Sequence, residues 1–255
     1  MKYEDNIQKI VNSYFSRERI LRYYKKPRFH LDERSIFRKF LKKSGRVLDL
    51  FCGAGRVSIP LARQGYEVVG IDINKKLIKM ACSTSQKLKL DNVKFYCMDA
   101  VKMKFKKEFF DYVIILENGL EHVPGKSKRR TIMKKTYKVL KKDGILILTF
   151  HSYFYGFSRI GLKFPFQFFR VFFPSIKNII LGINETNDWV IVDMHYYHLF
   201  PPWEIKHLLK RSGFKNKPVI IPCNVFHNKK NKFKNKDIYK KILWPFTYNF
   251  WVVKK

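Results

Sequence analysis

Apolar positions along this chain change rhythm most clearly between Arg46 and Asn74. Val47-Leu48-Asp49-Leu50-Phe51 is a short, nearly continuous apolar run, the pattern of a buried parallel strand. Cys52-Gly53-Ala54-Gly55 follows as a tight turn. Val57, Pro60, Leu61 and Ala62 then predict a helix that ends near Gly65. Glu67 to Ile71 reads as a second strand and finishes on Asp72. A strand, a glycine turn, a helix and a strand ending on an acid form a unit that binds adenosine-containing ligands at the carboxyl ends of its strands.

The same reading extends in both directions. Residues 1–44 predict two or three helices: Ile7, Ile10, Val11 and Tyr14 share one helical face, Ile36, Phe37, Phe40 and Leu41 another, with a break at Tyr23–Arg28. Downstream come a basic amphipathic helix over 75–90, a strand at Val93–Met98 ending at Asp99-Ala100, and a strand at Tyr112–Leu116 preceded by Phe110-Asp111. A helix over Lys126–Leu140, a turn at Lys141–Gly144 and a strand at Ile145–Phe150 follow, with His151 at once after it. Residues 152–190 depart from this alternation: they are aromatic and basic, and read as an insertion forming a lid or substrate wall. Trp189–Phe200 reads as one strand, Pro202–Lys210 as a helix ended by Gly213, and 217–222 and 245–253 as the last two strands, with a lysine- and asparagine-rich loop at 227–241 between them.

The fold class is therefore α/β: a Rossmann-like, seven-stranded, mostly parallel sheet with helices on both faces, an N-terminal helical cap over 1–44 and an aromatic insertion after the fifth strand. Residues 45–255 make one domain with that insertion, and the length suffices for a sizeable core. No run of about 18 uncharged apolar residues predicts a membrane span. The opening MKYEDNIQKI lacks the apolar segment of a secretory signal, so a cytoplasmic location is expected. Cys52, Cys82, Cys97 and Cys223 form no CxxC pair, which argues against zinc or any other metal; the first three are expected as small reduced core residues.

Charge changes the picture. Lys and Arg number 53 against 20 Asp and Glu, a formal +33. Such an excess predicts contact with RNA or an anionic membrane surface, or reflects a lysine-rich proteome.

The chemistry of the turn is more specific. Gly53 and Gly55 let the backbone approach a ligand with no Cβ in the way. The following helix N-terminus offers free N–H groups. Asp72, 23 positions after Asp49, has the spacing of an acid that accepts ribose hydroxyls. A dinucleotide site would want a third glycine where Ser58 stands.

Together these residues resemble motif I and the acidic second strand of the class I S-adenosylmethionine-dependent methyltransferases. Phe51 stands where many members carry the first glycine; the form D-L-F-C-G-x-G is familiar in that superfamily. The resemblance implies S-adenosylmethionine as cofactor, held by Asp49, Phe51, Cys52, Gly53, Ala54, Gly55, Asp72, Ile73, Asp99, Ala100 and Glu117. In this family an acid at the place of Asp99 reaches the adenine amino group and the next N–H a ring nitrogen. "F-D-x-V … L-E-H-V-P", from Phe110 to Pro124, resembles the segment that positions the transferred methyl group. Val139 to Phe150 resembles the helix-turn-strand that follows.

Methyl transfer from a sulfonium needs mainly an oriented acceptor. Where the acceptor must lose a proton, a histidine is the natural base, and His122 is the first candidate. His151, and His195 or His198 from the late strand, are further candidate bases; Tyr23 or Tyr24 of the cap could close over the cofactor; and Tyr24, His151, Tyr155 and His195 are candidates to line the acceptor pocket. The chain lacks the D/N-P-P-Y signature of enzymes that methylate exocyclic amines of bases, and Pro222-Cys223 comes too late to face the methyl group. The acceptor is therefore expected to be small or lipid-like, with RNA as the runner-up from the charge. A nicotinamide oxidoreductase and a non-catalytic RNA-binding protein of the same fold are the rival classes.

Overall fold

The computed structural model describes residues 27–151, 188–191, 195–198, 200–222 and 248–255. A helix α1 (Leu31–Phe40) precedes β1 (Arg46–Leu50), α2 (Ser58–Arg63), β2 (Glu67–Asp72), α3 (Lys75–Lys87), β3 (Val93–Cys97) and β4 (Phe110–Ile115). A single 3₁₀ turn (Gly119–His122) leads to α4 (Lys126–Val139) and β5 (Leu140–His151). Then come β6 (Asp188–Ile191), β7 (His195–His198), α5 (Pro202–Ser212), β8 (Val219–Pro222) and β9 (Tyr248–Lys254).

Seven strands form one sheet in the order β3-β2-β1-β4-β5-β9-β8. The first five are parallel to their neighbours, and β9 runs antiparallel to both β5 and β8. This is the Rossmann-like, mostly parallel sheet that the alternation of strands and helices predicts. The order reverses between β1 and β4, so a crevice opens at the carboxyl ends of those two strands.

Period-two alternation along each strand divides the core into two layers. Val47, Tyr112, Ile114, Ile147, Phe250 and Val252 join Ile36 and Phe37 of α1 and Leu61 of α2. Leu48, Leu50, Val113, Leu146, Leu148, Trp251 and Val253 face the other way, onto Ile132 and Met133 of α4 and Ile205 and Leu209 of α5. Each such side chain, fully buried, contributes about 1.5–3 kcal/mol. Helix α3 starts where Asn74 Oδ1 accepts the N–H groups of Lys76 and Leu77 at 3.0 and 3.2 Å. Helix α5 stops at Gly213, whose φ of 112° is cheap only for glycine. A Cβ there would lie 2.8 Å from the Tyr137 ring, so the same glycine lets α5 close on α4.

Three elements differ from expectation. Trp189–Phe200 is not one strand: Asp188 pairs with His198 and Ile191 with His195, an antiparallel hairpin of β6 and β7. Asp193 interrupts the apolar run midway, a turn signal that the alternation on either side outweighed. The turn at Lys141–Gly144 lies inside β5. Leu140 pairs with Phe110 and Ile145 with Tyr112, and the four intervening residues bulge out at Asp143, φ 64°. Cys52 is buried, but Cys97 is exposed, because β3 is the edge of the sheet. Most of the N-terminal cap, most of the aromatic insertion, the 227–241 loop and Cys223 lie outside the described residues. Among the described residues no helix is long and apolar enough to cross a membrane.

Candidate functional site at the carboxyl ends of the strands

The glycine turn sits at the crevice. Phe51 has φ 63°, the left-handed region that favours glycine. Its ring lies on Gly119: a Cβ at 119 would meet Phe51 Cδ2 at 2.5 Å. The glycine usual at position 51 in the resembling motif is thus replaced by a strained Phe and a compensating glycine across the crevice. Gly53 and Gly55 follow at φ 56° and 75°. The N–H of Gly53 donates to Asp72 Oδ2 at 2.9 Å, tying the turn to the end of β2. Gly70 and Gly55 leave room for the Phe95 ring; a Cβ on either would approach it to 2.7 or 2.8 Å. Helix α2 has only six residues, too short for its N-terminus to count as a strong anion site.

Three acids stand at successive strand ends. Asp49 is buried and accepts the Ser58 hydroxyl at 2.5 Å. Burial pushes its carboxyl up to about 7, against the opposing pull of Ser58 and Arg56. Ser58 therefore has a task of its own where a dinucleotide motif has glycine. Asp72 is half-buried; burial raises its carboxyl, while the N–H groups of Asn74, at 2.8 Å, and Gly53 hold it down. Ile73 beside it is exposed, an apolar plate next to a carboxylate. Asp99 is half-buried after β3 and takes the Val101 N–H at 2.8 Å, and Ala100 is buried. Burial also pushes the Cys52 thiol well up, which makes it an unreactive packing group.

Opposite the turn, the chain leaves β4 through Glu117 and Asn118, both left-handed at φ 50° and 59°. Two successive non-glycine residues in this region cost of order 1–3 kcal/mol each and mark functional sites. Glu117 joins a network that sequence reasoning missed. The buried Arg56 guanidinium grips Glu33 of α1 with two bonds, at 2.8 and 2.5 Å, and reaches Glu117 at 3.0 Å. His30 Nε2 lies 3.1 Å from the same Glu117 oxygen. Among the described residues His30, Glu33 and Glu117 are the one cluster with the spacing of metal ligands, but Arg56 neutralises it as a metal ion would. Arg56, Asp49, Phe51, Leu116 and Glu117 line a cavity of about 20 Å³, space for about one water. A signal existed: Glu33 stands on the apolar stripe of α1, three and four positions before Ile36 and Phe37, where an acid must be paired.

The remaining candidates divide. His122 ends the 3₁₀ turn, half-exposed, and β7 lies against that turn. His195 begins β7, so its backbone comes to this side of the crevice. His198 is withdrawn: it is buried, bonded to Glu204 at 3.0 Å and stacked edge-on against Phe200. His151 ends β5 in register with Tyr248. Tyr24 and Tyr155, and the side chains of His151 and His195, lie outside the described residues.

Known proteins agree with this geometry. A methyltransferase-domain family model matches residues 41–159. YqeM of Bacillus subtilis, named as a methyltransferase, is 30% identical over 197 residues, 69% of this chain and 75% of its own. The demethylmenaquinone methyltransferase of Lactobacillus johnsonii is 28% identical over 74% of this chain and 75% of its own. An S-adenosylmethionine-dependent methyltransferase structure from Methanosarcina mazei superposes with a TM-score of 0.62, covering 86% of this chain and 96% of its own at 21% identity, which supports the fold. From its strand order, its glycine turn and its alignment with these proteins, this chain belongs to the class I S-adenosylmethionine-dependent methyltransferases.

Proposed function

We propose that the protein transfers the cofactor's methyl group to a nucleophile on a small or lipid-like acceptor, and that the crevice residues divide the work as follows. Asp72 accepts the ribose hydroxyls on the lone pairs left by Gly53 and Asn74, with Ile73 against the adenine. Asp99 and the Ala100 N–H take the adenine edge. Asp49, with Phe51, Cys52, Gly53, Ala54 and Gly55, holds the amino-acid end of the cofactor. The cofactor supplies the electrophilic methyl group. Glu117 and the strained turn after β4 place the acceptor, and His122, or His30 across the crevice, receives its proton. His151, His195, Tyr24 and Tyr155 remain candidates for the acceptor wall.

The observation that carries this reading is the acidic crevice itself. Asp99, Asp72, Asp49 and Glu117 stand at the carboxyl ends of four adjacent strands, β3, β2, β1 and β4, and among the described residues Arg56 is the guanidinium paired there with Glu117. Such a field favours a cationic cofactor and disfavours an anionic dinucleotide. For the acceptor, the support is the alignment along three-quarters of the length of the demethylmenaquinone methyltransferase. The test has two stages. Calorimetry should show S-adenosylmethionine binding and no NAD binding; the reverse would overturn the assignment of the crevice. Cell extract incubated with methyl-labelled cofactor should then carry label in the lipid and small-molecule fractions. Label in RNA alone would replace this acceptor class by the other.

A further inference from the structure

We propose that the groove between α1 and α2 is a docking surface for single-stranded RNA, held by its phosphodiester backbone. The groove holds about 670 Å³ and is lined by Arg28, Arg34, Arg38, Lys42, Lys43 and Arg63. All six are exposed, and among the described residues no carboxylate lies in the lining. Glu33, the acid of α1 nearest Arg34 in sequence, is buried and committed to Arg56.

Six like charges in one concavity repel, and a helix end explains only some of them. Arg38 and Arg63 stand in the last turns of α1 and α2, where a cation complements the dipole. Arg28 precedes α1 and Arg34 follows its first three residues, where the dipole disfavours a cation. What the arrangement suits is a counter-charge spread along the whole groove, which a lone phosphate does not supply. A concave basic channel tracks a flexible strand's phosphates. A bilayer, being flat, cannot reach the recessed floor, where Phe37 and Tyr66 are buried. The groove lies on the α1–α2 side of the sheet, so docking there is independent of which molecule accepts the methyl group.

The test uses the full chain and a labelled 12-nucleotide mixed-sequence RNA, by fluorescence anisotropy from 50 to 300 mM KCl. Six phosphate contacts predict a slope of log affinity against log salt near −4 (about 0.7 per phosphate on a single strand). R34E/R38E should weaken binding at least tenfold and flatten the slope by about 1–2. K134E/K138E, equal in charge and exposed on α4 across the sheet, should weaken it no more than about threefold. Equal losses in the two variants, no binding at 50 mM salt, or displacement of the RNA by phosphatidylserine vesicles would each overturn the proposal. Should R34E/R38E fail to fold by circular dichroism, K42E/R63E takes the same reading from two other lining residues. RNA binding is read without methyl transfer, so its failure and that of the proposed reaction are separable.

Discussion

Replacing Asp49 by Asn isolates the energetic consequence of the buried acid. Burial raises its carboxyl from 3.8 to about 7. Roughly three units at about 1.4 kcal/mol each set an upper limit near 4 kcal/mol. The sign follows from linkage: between pH 4 and 7 the folded chain keeps a proton at Asp49 that the unfolded chain has released. Stability from this group is therefore highest in acid and declines as pH rises to about 7. Asn at position 49 is neutral throughout and still offers an amide oxygen to the Ser58 hydroxyl. The variant should exceed the natural protein by only about 1 kcal/mol at pH 4.5 and by far more at pH 8. With about 2–4 °C per kcal/mol for a chain of this size, the Tm gap at pH 8 should reach about 8–16 °C at that limit. Melts by differential scanning fluorimetry at fixed ionic strength read it directly. Saturating S-adenosylmethionine should raise the natural protein's Tm and leave the variant's nearly unmoved, because the stabilised chain has lost the carboxylate facing the cation. A gap of the same size at pH 5 and pH 8 would refute the reasoning.

Two further substitutions probe the walls of the crevice. Arg56→Met strands Glu33 in the core and should cost about 3–5 kcal/mol in urea unfolding; R56M/E33M should regain much of it, and a loss under about 1 kcal/mol would show that the network carries no stability. Gly119→Ala forces a Cβ to 2.5 Å from the Phe51 ring and should cost about 1–3 kcal/mol. Phe51→Gly removes both the ring and the φ 63° strain, so G119A/F51G should be less destabilised than the sum of the single changes by at least about 1 kcal/mol; additivity would mean that the two positions are not coupled.

The strands and helices of the crevice were legible because they depend on local pattern. Val47–Leu50 had to be buried on both faces, and Gly53 and Gly55 had to turn. Asp72 and Asp99 followed from their places at the ends of strands. What was not legible depends on side chains that meet across the chain outside any local repeat, as Glu33 and Arg56 do 23 positions apart and His30 and Glu117 do 87 apart. Glu33 and Arg56 were each readable as anomalies, an acid on an apolar stripe and a cation beside the glycine turn, yet no periodicity pairs them. The β6–β7 hairpin was missed for the opposite reason: alternation is the same for one strand as for two, and only Asp193 marked the interruption. His198 looked as available as His195, and its bond to Glu204 on the next helix withdrew it.

The distribution of charge links the two proposals. Of 20 acidic residues in a chain with 53 Lys and Arg, Asp49, Asp72, Asp99 and Glu117 stand at the carboxyl ends of β1 to β4, and among the described residues none lines the α1–α2 groove. At about 0.15 M salt the Debye length is near 8 Å, so each surface acts mainly on what touches it. A cation entering the crevice meets attraction that the net charge of the whole chain would not predict. A polyanion is drawn to the groove and repelled where the crevice acids stand. Net charge therefore carries no information on the acceptor: an RNA bound by Arg34 and Arg38 needs no base in the crevice, and a neutral acceptor needs no help from the basic face. Their independence is measurable, since R34E/R38E should leave methyl transfer to a small acceptor unchanged at any salt concentration at which D49N abolishes it.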